Sequence, residues 1–96
     1  MSVSVPDQDA TRFSVASSAT SVVIFPANGR SGGRTIQNES SAILYLAFGS
    51  TPASLTDYTV QIAAGAYYEF PVTRYYGGEV RGIWAAANGN ARCTEW

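Results

Sequence analysis

Turn-forming residues interrupt this chain so often that a helix of ordinary length has no room. From Arg12 onward, short runs rich in Val, Ile, Tyr and Phe alternate with clusters of Gly, Pro, Asn and Ser. That spacing belongs to an all-β sandwich or barrel. The runs fall at residues 13–15, 20–25, 34–38, 42–48, 58–62, 66–70, 79–85 and 91–96, which predicts about eight strands. Ala85-Ala86-Ala87 has the best helical composition, but Asn88-Gly89 follows at once. Both of those residues tolerate positive φ, so the pair predicts a hairpin. The fold class expected is an antiparallel β-sandwich, with jelly-roll or immunoglobulin-like strand order left open.

Side-chain periodicity then assigns the faces. Tyr58, Val60 and Ile62 share one side of the clearest alternating run. Residues 42–48 are apolar on both faces, as a central, covered strand would be. The core expected from these patterns is Val22, Ile24, Ile36, Leu44, Leu46, Val60, Ile62, Phe70, Ile83 and Trp84. Residues 1–11 are polar, lack a period and contain Pro6, so they read as an extended arm ordered only when something holds it. Residues 12–96 would form the sandwich. A domain of 96 residues has a small core, and oligomerisation is a usual source of extra stability at this size.

Charge narrows the partners. Only 14% of residues are charged, against about 25% in soluble proteins generally, so part of the surface must be neutral or apolar, as in contacts between subunits. The six basic residues are all arginines, scattered as Arg12, Arg30, Arg34, Arg74, Arg81 and Arg92. Without a basic cluster the electrostatic footprint of a nucleic-acid binder is missing. The arginines are expected to be solvated or paired with nearby acids. The sharper alternative is a bidentate pair across a subunit interface. The N-terminus lacks the basic and apolar regions of a signal peptide, and the apolar run 42–48 is far too short to span a bilayer. Synthesis in the cytoplasm and no membrane partner are the expectations.

The search for chemistry returns little. The chain has no His and no Lys, so the commonest general base and any Schiff-base site are lacking. Cys93 is the single cysteine. It reads as a small buried apolar side chain, and it cannot form an intrachain disulfide. Asp7 and Asp9 are close, but they lie in the arm and no further calcium-loop ligands follow. Gly29-Arg30-Ser31-Gly32-Gly33 leads into a strand and lacks the Lys of a phosphate loop. No catalytic residue, cofactor or metal is expected. Tyrosines are the enriched class: Tyr67-Tyr68 and Tyr75-Tyr76 flank Phe70-Pro71, and in extended chain one of each pair points outward. Tyr67, Tyr75 and Tyr76 are therefore candidate assembly contacts, with stacking on sugar rings as the other use of an exposed tyrosine. Val3 and Val5 alternate in the arm and would let it add a strand to a neighbouring sheet.

One resemblance covers roughly residues 20–96. Its pattern is Arg34-Thr35-Ile36-Gln37-Asn38-Glu39-Ser40-Ser41, then Leu44-Tyr45-Leu46 with Gly49-Ser50 closely after. It continues through Tyr58-Thr59-Val60-Gln61-Ile62-Ala63-Ala64-Gly65-Ala66-Tyr67-Tyr68-Glu69, Gly82-Ile83-Trp84-Ala85, Gly89-Asn90-Ala91-Arg92 and Thr94-Glu95. In these residues the chain resembles small virion accessory proteins of tailed bacteriophages, such as capsid decoration or cement proteins, head fibres and tail appendages. The resemblance implies a non-enzymatic structural protein that binds the major capsid protein or other virion proteins. It also implies a homo-oligomer, with a trimer favoured, and no nucleic-acid partner. A receptor- or carbohydrate-binding module on an appendage is the alternative. The pattern carries over no catalytic residues.

Overall fold

Alternating and β-branched runs form eight strands in the computed structural model, which describes residues 10–96. They are β1 (Thr11–Ala16), β2 (Val22–Phe25), β3 (Arg34–Glu39), β4 (Leu44–Phe48), β5 (Val60–Ile62), β6 (Tyr67–Glu69), β7 (Val80–Trp84) and β8 (Asn90–Glu95). No helix occurs among the described residues. The strands make two antiparallel four-stranded sheets of order β1-β8-β3-β6 and β2-β7-β4-β5. First pairs with last, second with seventh, third with sixth and fourth with fifth, like one long hairpin rolled over itself. That wiring is a jelly roll, not the immunoglobulin order. Thr11 is already the first residue of β1, opposite Glu95, so the sheet begins one residue before the expected domain boundary.

The rolled topology overturns the expected hairpin at Asn88-Gly89, because β7 and β8 belong to different sheets. The turn is instead tied to other chain crossings. Asn88 Nδ2 donates to Ser41 Oγ and its Oδ1 accepts from the Ser41 amide, while Gly89 and Ser17 exchange bonds through Gly89 N to Ser17 Oγ and Ser17 N to Gly89 O. Glycine is required there for close approach: a Cβ would lie 2.2 Å from the Glu39 carbonyl oxygen.

The core packs Ile24, Phe25, Ile36, Leu44, Leu46, Ile62, Phe70, Val80, Trp84, Ala91 and Cys93 between the sheets. Three residues expected inside are only half-buried. Val22 and Val60 sit on the edge strands β2 and β5, where one flank is open. Ile83 neighbours Trp84 on β7, and adjacent strand residues face opposite ways; Trp84 takes the core. Gly82 faces inward and makes room, since a Cβ there would lie 2.8 Å from Ile24 Cγ1. Tyr58 departs from the side of Val60 and Ile62, because the strand starts only at Val60 and a bend precedes it.

Candidate functional site

Residues 34, 36 and 38 of β3 all point inward, and two of them are polar. Arg34 is fully buried at one end of the sandwich. Its Nε donates to Glu95 Oε2 at 2.7 Å. Its Nη1 donates to the carbonyls of Tyr76 and Gly78, and its Nη2 to those of Pro26 and Gly77. The guanidinium also lies 4.8 Å from the centre of the Phe25 ring, a cation–π contact in a desolvated place. All the donors of the guanidinium fork are thus used. Arg34 fastens the 26–33 and 71–79 loops to β8 and keeps no donor for a ligand. Asn38 does the neutral equivalent at the other end: Nδ2 donates to Ala42 O, Ile62 O and Ala63 O, and Oδ1 accepts from Trp84 Nε1 and Ser40 Oγ.

Neither role was expected. The expectation for a lone arginine is solvation or a nearby acid, yet the acid of Arg34 is 61 residues away. The parity with inward-facing Ile36 was the available sign of it.

The candidate tyrosines separate. Tyr67 is 59% exposed on the outer face of β6, while Tyr68 faces the core. Tyr75 and Tyr76 are both half-buried, because they lie in a loop where strand alternation does not hold. Tyr76 stacks on Phe48 at 5.1 Å and donates to Glu79 O, and the Tyr75 hydroxyl hydrogen-bonds Ser31 Oγ. Both hold the loops around Arg34. Val3 and Val5 lie outside the described residues.

The outer faces of the two sheets differ in kind. Across β1-β8-β3-β6 the outward residues are chiefly polar, including Arg12, Ser14, Arg92, Thr94, Gln37 and Glu39, and Arg92 pairs with Glu39 at 2.7 Å. Between β1 and β8 this face holds an open concavity of about 360 Å³ lined by Arg12, Phe13, Ser14, Arg92, Cys93 and Thr94. Across β2-β7-β4-β5 the outward residues are mostly apolar. Tyr45 stands opposite Ile83 on one side and Gln61 on the other. Tyr58 meets Tyr45 edge-on, ring centres 4.9 Å apart, and its hydroxyl accepts from Gln61 Nε2 at 2.6 Å. Val23 and Ile43 add exposed aliphatic surface. One ion pair, Arg81 to Glu79 at 2.8 Å, is the charge on this face. The expectation that residues 42–48 are covered on both sides holds only in part, since on the outer side Tyr45 and Ala47 are half-buried and Ile43 is exposed. Leu44 and Leu46 are buried, while Ile43, Tyr45 and Ala47 face out.

Cys93 is buried, and its thiol is pushed up to about 12 by desolvation and then by the charge of Glu95. A thiol so held is a poor nucleophile at neutral pH. Among the described residues no three His, Cys, Asp or Glu side chains are grouped so as to hold a metal ion. Comparison of the chain with protein-family models, curated proteins and solved structures finds no match.

Proposed function

We propose that this chain is a non-enzymatic structural component of a bacteriophage virion that decorates or cements the capsid through the outer face of β2-β7-β4-β5. The observation that carries the reading is the apolar outer row of Ile83, Tyr45 and Tyr58 with Val23 and Ile43 beside it. Apolar, aromatic surface with little charge is what interface centres are made of. The jelly roll agrees by analogy, being a scaffold of viral capsid proteins and lectins, although a fold does not fix a function. The phage resemblance rests on the residues quoted for it.

Size shapes the reading further. A face four strands wide, at about 4.8 Å per strand and about 3.4 Å per residue, presents roughly 300 Å². A stable pairwise interface takes about 800 Å² per partner. One such contact is weak, whereas repeated contacts on a lattice gain by avidity. The test is mass spectrometry of purified particles of the phage that encodes the chain, before and after Tyr45→Glu. Many copies per particle, lost in the variant, are expected; absence of the wild-type chain from the particle overturns the reading.

A second reading has its own observation. Tyr45, Tyr58 and Gln61 place aromatic rings and an amide on one open face, a combination that stacks on and hydrogen-bonds a sugar. Binding of the purified chain to a glycan array, lost in Tyr58→Ala, would favour the carbohydrate-binding module.

A further inference from the structure

Each sheet leaves two edge strands, and an open edge is a template for another chain unless it is blunted. Three of the four edges here are blunted. β2 is broken by a register shift between Val23 and Phe25, and β5 and β6 have three residues each. β1 is different: six residues, no proline, and unbroken register with β8 from Thr11 opposite Glu95 to Ala16 opposite Asn90.

The hydrogen bonds show which groups of β1 have no partner among the described residues. Ser17 N donates to Gly89 O, continuing the β1–β8 register. In an antiparallel ladder alternate residues turn both backbone groups to the same neighbour, so Thr11, Phe13 and Val15 serve β8. The amides and carbonyls of Arg12, Ser14 and Ala16 therefore point away from the sheet.

We propose that two copies of the chain pair antiparallel through β1, joining their β1-β8-β3-β6 sheets into one continuous sheet about a two-fold axis at Ser14. In that register Ser14 faces Ser14 of the second copy, and Arg12 faces Ala16. Each is a hydrogen-bonded pair, which gives about six bonds. Centring on Phe13 gives only about four and leaves Ala16 unpaired. The Ser14 register also sets Phe13 beside Val15 of the second copy, so the apolar inner face runs on across the axis. No like charges stand directly opposite, the arrangement that would destabilise a cross-strand pair. A closed two-fold contact produces a dimer where the resemblance implies a trimer, and it requires nothing of the phage reading.

The experiment is analytical ultracentrifugation of the full chain beside two variants. Ser14→Pro removes an amide that faces outward, a place where an edge strand tolerates proline. It should weaken dimerisation at least tenfold while the monomer stays folded. Ser14→Cys should form a disulfide-linked dimer on mild oxidation. The Cα atoms of such a hydrogen-bonded pair sit about 5.5 Å apart, within disulfide reach. Ala16→Cys, which faces Arg12, should not link, and Tyr45→Glu on the other sheet should dimerise like wild type. A wild-type chain that sediments as a monomer at every concentration overturns the proposal. So does failure of Ser14→Cys to link, which also decides the matter should Ser14→Pro not fold. Dimers that appear only after residues 2–9 are deleted overturn it too, since the chain's own arm then occupies the edge.

Discussion

The two sheets of this sandwich treat polarity in opposite ways. The β1-β8-β3-β6 sheet is polar outside and supplies both fully buried polar side chains, Arg34 and Asn38 of β3. Every polar group of those two is matched inside the chain. The β2-β7-β4-β5 sheet is apolar toward the core and largely apolar toward the outside, where Tyr58 packs on Tyr45, the Ala53 amide ties the 49–59 loop to Ser21, and Val23 and Ile43 stay exposed. The first sheet satisfies its buried arginine and amide internally but leaves Asn90 Oδ1 and the outer backbone groups of β1 without partners among the described residues; the second leaves apolar surface. An apolar outer face of this kind is the surface that the proposed assembly would cover.

This contrast can be broken from either side. Arg34→Ala should have the largest effect, since it strips Glu95 and four carbonyls of their shared donor; losing one partner of a buried pair costs about 3–5 kcal/mol. Arg34→Lys should recover little, because an ammonium cannot span that fork-shaped cage. Asn38→Ala leaves the Trp84 indole N–H without its acceptor, while the Ser40 hydroxyl keeps the Ala42 carbonyl, and should cost about 1–3 kcal/mol for the group left unpaired. Urea denaturation measures both, and an Asn38→Ala loss larger than that of Arg34→Ala would reverse their ranking.

Cys93 sharpens the comparison through pH. Its folded thiol lies above its ordinary value of 9.0, at about 12. Both states are neutral below pH 9; above it the unfolded thiol ionises first, so stability falls as pH rises toward 12. Cys93→Ala should flatten that alkaline decline in thermal melts, and an unchanged slope would mean the thiol is not shielded. The smallest effect belongs to the solvated face: Arg92→Ala breaks an ion pair whose side chains are 65% and 42% exposed, worth at most about 1 kcal/mol.

Much of the inner surface was legible, for a local reason. Alternation places Ile36, Leu44, Leu46 and Ile62 inward whatever strand lies beside them. Strand order was not legible, because Thr11 pairs with Glu95 and no local pattern links the two ends. Asn88-Gly89 misled for the same reason: a turn signal says that the chain reverses, not that the flanking strands pair. Arg34 and Asn38 were hidden by their chemistry, since a charged or amide side chain at an inward position reads as an exception until its partners are seen. The outer face was half legible: the apolarity of residues 42–48 on both sides shows in the sequence, but which segments lie over the outer side does not.

The outer face of β2-β7-β4-β5 is the proposed assembly surface, and Tyr45→Glu addresses it most directly. Tyr45 is half-buried on the outer surface and packed on Tyr58, so a charge there should cost about 1–3 kcal/mol and leave the domain folded while disrupting any apolar contact. The measurement is attachment of the purified variant to particles lacking the chain, beside its melting curve. A single cooperative melt, lowered by a few degrees, with attachment lost is the expected result. Attachment equal to wild type would contradict the claim that β2-β7-β4-β5 is the face by which this protein assembles.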